Sequence, residues 1–156
     1  MAGFFVDTNV LVYAFAEHEP AKRAAARGLT EADGALVSTQ VLAELANVMT
    51  RRLGFAPDMA RNRIASIAAS CEVVTVTPPI VLDALRIMQT YRYSFFDSQI
   101  IATALAAGAE VLYSEDMHHG QTIDSTLRIR SPFRVRAEQA RGTYQARRTR
   151  RPIRRR

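Results

Sequence analysis

Short apolar runs alternate along this chain with longer amphipathic ones, and the alternation predicts the elements. Gly3–Val6 reads as a short buried strand ending at Asp7. Thr8–Ala16 carries Val10, Leu11, Ala14 and Phe15 on one helical stripe. Pro20 suits the first position of a helix over Pro20–Thr30. Ala35–Ser38 is a second strand, followed by a helix over Thr39–Leu53 that Gly54 closes. Pro57–Ser70 is helical, and Val73–Val76 is a β-branched run suited to a strand. Pro78–Thr90 and Phe95–Ala107 are helical, the second closed by Gly108. Glu110–Tyr113 is a fourth strand, Ser114–Gly120 a loop, and Leu127–Ile129 a last short strand before Ser131-Pro132-Phe133.

Strands alternating with helices predict a three-layer α/β/α fold with a mostly parallel central sheet. Right-handed crossovers bring loops to the carboxyl edge of such a sheet. Ligand crevices lie outside that edge. No internal repeat interrupts the pattern.

Charge divides the chain in two. Residues 134–156 hold ten arginines against one acid, Glu138, a net of +9. Residues 1–133 hold ten arginines and one lysine, Lys22, against fourteen acids, a net of −3. One globular domain over 1–133, followed by an arginine-rich, flexible C-terminal tail over 134–156, is therefore expected. A basic block of this kind stays solvated and favours polyanions. The single cysteine, Cys71, excludes an intramolecular disulfide and a multi-cysteine zinc site. It reads as a small buried hydrophobe and suits a reducing cytoplasm. No apolar run reaches the length of a membrane span, and Asp7 comes too early for a secretory signal.

Four acids carry the candidate chemistry. Asp7 directly follows the first strand, in Val6-Asp7-Thr8-Asn9, and alone reads as an N-cap or turn acid. Glu44 lies three residues after Val41 and four before Val48, on the same helical stripe. A carboxylate there is costly unless it is paired, or it sits at the stripe's edge and reaches water. Asp97 comes three residues after Ser94, a capping-box spacing, yet shares a face with Ile100, Ile101 and Ala104. Asp116 follows the fourth strand in Tyr113-Ser114-Glu115-Asp116 and alone reads as a turn acid, with Glu115 as a solvated loop charge. Together, Asp7 and Asp116 sit past the carboxyl ends of predicted parallel strands. Glu44 and Asp97 sit on helices whose N-termini point to the same edge. Four converging carboxylates repel one another, and a divalent cation relieves the repulsion. All-carboxylate ligation suits Mg2+ or Mn2+, whereas zinc prefers histidine or cysteine.

The segments around these acids resemble the PIN domains, and within them the VapC-type toxins of VapBC toxin–antitoxin systems. Val6-Asp7-Thr8-Asn9-Val10-Leu11-Val12-Tyr13 is similar to the family's opening motif. Ser38-Thr39-Gln40-Val41-Leu42-Ala43-Glu44 is similar to the segment of its second acid, and Phe96-Asp97-Ser98-Gln99-Ile100-Ile101-Ala102-Thr103-Ala104 to that of its third. Tyr113-Ser114-Glu115-Asp116-Met117, Gly120-Gln121 and Ser131-Pro132-Phe133 resemble its ending. The likeness spans about residues 3–133. It implies a metal-dependent endoribonuclease that cleaves single-stranded or looped RNA, leaving a 5′-phosphate and a 3′-hydroxyl. By residue it implies Asp7, Glu44, Asp97 and Asp116 as the catalytic, metal-binding acids, with Thr8, Asn9 and Ser114 supporting them. Asp7 and Asp116 are the expected direct ligands. Asp97 ligates directly or through water, and Glu44 is either a ligand or the base that orients the water. One metal or two stays open. The resemblance further implies a small antitoxin partner, a homodimer, and a cytoplasmic protein without a membrane partner.

Two rivals stand beside this reading. A phosphatase of the haloacid-dehalogenase type needs a second acid two residues after its nucleophilic aspartate, and Asn9 occupies that place. A catalytically silent PIN-like protein that binds RNA or a partner would not need all four acids. Of the other residues, His118 and His119 read as a solvated loop pair. Tyr91 and Tyr93, with Arg92, either stack on a base or pack the loop before Asp97. Arg51 and Arg52 either form a phosphate-binding rim or interact with the end of their helix.

Overall fold

The computed structural model describes residues 3–134. Apart from Arg134, the predicted tail lies outside the described residues. The expected three-layer α/β/α architecture is present. Six strands form one sheet: β1 (Phe4–Val6), β2 (Ala35–Ser38), β3 (Glu72–Val74), β4 (Val111–Tyr113), β5 (Thr122–Ile123) and β6 (Leu127–Arg130). Among the described residues the helices assigned are α1 (Thr8–Val12), α2 (Pro20–Thr30), α3 (Thr39–Arg51), α4 (Pro57–Ser70), α5 (Pro78–Tyr91) and α6 (Phe95–Ala106). Among the described residues no helix is long and apolar enough to cross a membrane.

The strand order is β3-β2-β1-β4-β6-β5, and every pairing is parallel except that of β5 with β6. From β1 the chain steps outward to β2 and β3, then returns across the sheet to β4. With right-handed crossovers, α1–α4 cover one face and α5–α6 the other. Leu36, Phe5, Leu112 and Ile129 stand in register across four strands and are buried, forming a continuous apolar row through the sheet. The direction of winding reverses between β1 and β4, which is where a crevice opens at the carboxyl edge.

The structure departs from the predicted elements where tertiary contacts decide the backbone. The helix predicted over Thr8–Ala16 is α only to Val12 and continues as a 3-10 turn, Tyr13–Phe15. Arg27 Nε donates to the Ala14 carbonyl at 3.3 Å, while Ala16 N closes the tighter bond to Tyr13 O at 3.1 Å. The third strand sits at Glu72–Val74 rather than Val73–Val76, because the Val76 amide leaves the ladder and donates to Thr39 Oγ1 at 3.1 Å. The strand β5 was not predicted from two residues. It pairs with β6 through a turn in which Asp124 and Ser125 take positive φ values of 45° and 60°. The Asp124 carboxylate accepts from Arg86 Nη2 at 2.7 Å and from the Tyr91 hydroxyl at 2.9 Å, so the hairpin is fastened to α5.

Candidate active site

β1 delivers Asp7 to the crevice. The Asp7 amide still donates to the Tyr113 carbonyl at 3.0 Å, continuing the pairing of β1 with β4 by one residue. Its carboxylate then serves two elements. Oδ1 accepts from the Thr8 amide at 2.6 Å and caps α1, while Oδ2 accepts from the Ser114 hydroxyl at 2.8 Å and from Asn9 Nδ2 at 3.2 Å. The capping reading is thus correct for one oxygen and does not exhaust the residue. Asp7 is only 4% exposed. Burial pushes its carboxyl up to about 7, the like charges of Asp97 and Glu44 push the same way, and the Ser114 and Thr8 hydrogen bonds oppose them.

Asn9 links the segments that follow β1 and β4. Its Nδ2 lies 3.2 Å from Asp7 Oδ2, 3.3 Å from Ser114 Oγ and 3.1 Å from Asp116 Oδ2, and its Oδ1 accepts from the Glu115 amide at 3.1 Å. Ser114 is fully buried, and its amide donates to Arg130 O at 2.9 Å, which ties the loop to β6. The Thr8 hydroxyl donates to Glu44 Oε2 at 2.6 Å, bringing α3 into the same network.

Glu44 occupies the edge of its stripe. Val41, Leu45 and Met49 are buried, whereas Glu44 and Val48 are half-buried and face the crevice. Its second oxygen accepts from Gln40 Nε2 at 2.8 Å. Asp97 enters from α6, with its amide donating to Ser94 Oγ at 3.2 Å as the capping spacing predicts. Partial burial raises the Asp97 carboxyl above its ordinary value, and the charges of Asp116 and Glu44 add to the effect. Asp116 is exposed on the loop after β4.

All four acids line one cavity of about 610 Å3, together with Glu115 and Arg52. A larger cleft of about 740 Å3 has Arg128, Arg130 and Glu110 among its lining residues and holds none of these four acids. Among the described residues no three histidine, cysteine, aspartate or glutamate side chains are drawn together tightly enough to hold an ion. The Glu44 oxygens accept from Thr8 and Gln40, and Asp116, though exposed, is held by Asn9. The donor set itself, all oxygen and mostly carboxylate, fits a hard divalent cation.

Several other residues have roles that their local sequence did not reveal. Glu115 is not a free loop charge: Lys22 Nζ donates to it at 2.7 Å and lies 4.4 Å from the centre of the Tyr13 ring. Tyr91 and Tyr93 pack the loops rather than standing free. The Tyr91 hydroxyl is bound to Asp124, and the Tyr93 hydroxyl donates to Gln121 Oε1 at 2.5 Å and accepts from the His118 amide at 3.2 Å. His118 is exposed as expected, but His119 Nδ1 accepts from the Ser131 amide at 2.9 Å and braces the chain after β6. Cys71 is buried and free. Gln40 stands inside the motif that leads to Glu44. No local pattern marks it or Lys22, because their partners lie far away in the sequence.

A family model described as the PIN domain matches residues 4–122. No curated protein matches the chain. Among solved structures, it is similar to the Mycobacterium tuberculosis VapC20, a toxin that cleaves the sarcin–ricin loop, at 22% identity over 73% of this chain and 90% of that one, with a TM-score of 0.59. It is similar to the DNA-bound VapBC from Salmonella typhimurium at 19% identity over 85% and 99%, with a TM-score of 0.63. FitAcB from Neisseria gonorrhoeae is matched at 18% identity over 83% and 98%, with a TM-score of 0.62. At these identities the likeness is one of fold.

The raised Asp7 carboxyl sets a pH dependence of stability in protein stripped of divalent ions. A folded value of about 7 against an ordinary 3.8 means that the fold favours the protonated acid. That contribution is full below about pH 4 and is lost as pH rises through about 7. At roughly 1.4 kcal/mol per unit of displacement, ionised Asp7 costs a few kcal/mol at neutrality. Asp7→Asn removes the charge and keeps the shape. In chelator the variant should melt well above the parent protein near neutral pH, by less as pH falls, and about level with it below about pH 4. Equal melting temperatures at both would show that Asp7 imposes no such cost.

Proposed function

The chain belongs to the PIN-domain family, and from that premise we propose that it is a divalent-metal-dependent endoribonuclease serving as the toxin of a toxin–antitoxin pair. The observation that carries this reading is the convergence of Asp7, Glu44, Asp97 and Asp116, from four separate segments, on one cavity. A bound Mg2+ or Mn2+ would supply an acidified water and a counter-charge for the phosphoryl oxygens. Asp7 and Asp116 would hold it, with Asp97 ligating directly or through water. Ser114, Asn9 and the Thr8 amide fix the Asp7 carboxylate, and Asn9 sets its separation from Asp116. Glu44, with one donor on each oxygen from Thr8 and Gln40, keeps lone pairs free and would either ligate or orient the attacking water. The cavity's five carboxylates would also accept a basic side chain from an inhibitory protein, which is how a small antitoxin would silence the site.

RNA cleavage should require added Mg2+ or Mn2+ and stop in excess chelator. Asp7→Asn should lower cleavage by at least about a hundredfold while the protein stays folded, since even a residue supporting a metal site costs 10- to 100-fold when changed. Full activity in the metal-free protein would remove the metal from the proposal. A cellular effect that survived loss of the acids would replace the enzyme with the catalytically silent binding protein.

Expression of the chain alone should slow growth, and co-expression of the small protein encoded beside it should restore growth. Harmless expression of a protein shown in vitro to cleave RNA would count against the toxin role.

The basic tail belongs to the same proposal as an RNA contact that takes no part in the chemistry. Residues 134–156 carry a net +9 beside a body of −3, and arginine pairs well with phosphate. Truncation after Phe133 should weaken RNA binding, flatten its salt dependence and leave the cleavage position unchanged. An unchanged salt slope would exclude the tail as an RNA contact.

A further inference from the structure

Phe96 is 62% exposed and is the one aromatic among the large apolar side chains that the described residues leave in solvent. It stands in the first turn of α6, between Phe95, which packs against the core, and Asp97. The Phe95 ring backs it edge to face, with centroids 5.4 Å apart and planes at 73°. Its carbonyl accepts from Gln40 Nε2 at 3.1 Å, the same nitrogen that donates to Glu44 Oε1 at 2.8 Å. Gln99 Nε2 donates to Gln40 Oε1 at 2.7 Å, so the hydrogens of the Gln40 amide and its oxygen are all engaged. One amide group thus fixes the turn carrying Phe96 against an acid of the cavity, and the exposed ring belongs to the residue directly before Asp97, which lines that cavity.

Apart from Arg52 on the cavity's lining, the side chains there offer a nucleotide little positive charge. The body is net −3, and the carboxylates of the cavity repel phosphate. Lys22 is engaged by Glu115, and the hydroxyls of Tyr91 and Tyr93 are committed to the loops. For the base itself, the exposed ring of Phe96, next to Asp97 in the chain, is a flat apolar surface, and every nucleobase has a π face that stacks on such a ring. We infer that Phe96 is the stacking platform for an unpaired nucleobase flanking the phosphate presented to the acids. The inference rests on the ribonuclease reading above and deepens it.

The chain contains no tryptophan, so Phe96→Trp creates a single emitter at the platform. In the Asp7→Asn background with Mg2+, a short single-stranded oligoribonucleotide should quench this emission saturably. A ribose-phosphate oligomer of the same length without bases should not. In the otherwise unaltered protein, Phe96→Ala should raise KM for that oligoribonucleotide roughly tenfold with kcat nearly unchanged, as loss of one stacked base implies. Phe96→Tyr should restore KM, and the melting temperature should not move. Emission that ignores RNA while the parent protein cleaves the same RNA overturns the inference. Emission that shifts on dilution of the protein alone, with no response to RNA, overturns it in favour of contact with a second copy. Quenching by RNA that the parent protein never cleaves upholds the platform and removes the nuclease.

Discussion

Asp7 holds a carboxylate in a buried position, against the pull of its own desolvation and beside other acids, and the surrounding structure is arranged so that this is tolerated. Three donors meet it: the Thr8 amide, the Ser114 hydroxyl and the Asn9 side-chain amide. None carries a charge. Hydrogen bonds from neutral donors orient a carboxylate without neutralising it, so the demand for a cation is left in place.

The strand order explains why these residues meet. Winding outward from β1 to β3 and then returning to β4 places the two strand ends that carry Asp7 and Ser114 side by side. The same reversal leaves α1 and α3 on one face and α6 on the other. Glu44 and Asp97 therefore approach the cavity from opposite sides of the sheet. Gln40 spans that gap, donating to Glu44 on its own helix and to the Phe96 carbonyl on α6, while Gln99 returns a bond from α6. The cavity is in this sense a junction between the two helical layers, and its rigidity depends on contacts that cross the end of the sheet.

What was legible in the sequence follows from range. Apolar periodicity is local, so the five longer helices and the five parallel strands β1–β4 and β6 were readable to within a residue or two. Asp7 and Asp116 could be placed because the first directly follows β1 and the second lies three residues past the end of β4. Glu44 could be placed because an acid on an apolar stripe is conspicuous. The hairpin strand β5 could not, since its two residues are fixed by Asp124 gripping Arg86 and Tyr91 more than thirty positions earlier. The pairing of Lys22 with Glu115 is likewise invisible locally, because α2 and the loop after β4 meet only once the sheet has formed. Tyr91 and Tyr93 were ambiguous for the same reason: whether a tyrosine faces a ligand or a loop depends on what its hydroxyl finds, and both found loops.

Capping and chemistry draw here on the same atoms. Asp7 caps α1 with one oxygen and faces β4 with the other, and Ser94 caps α6 one turn below Asp97. A five-residue helix such as α1 is too short to hold itself together, so its first turn depends on the cap and on packing. The acid that stabilises that turn is also the one whose charge destabilises the buried site. A neutral isostere at Asp7 separates the two effects, because asparagine caps about as well as aspartate. Retention of the charged residue at a site where the neutral one would suffice for the fold is the pattern expected when stability is yielded to function.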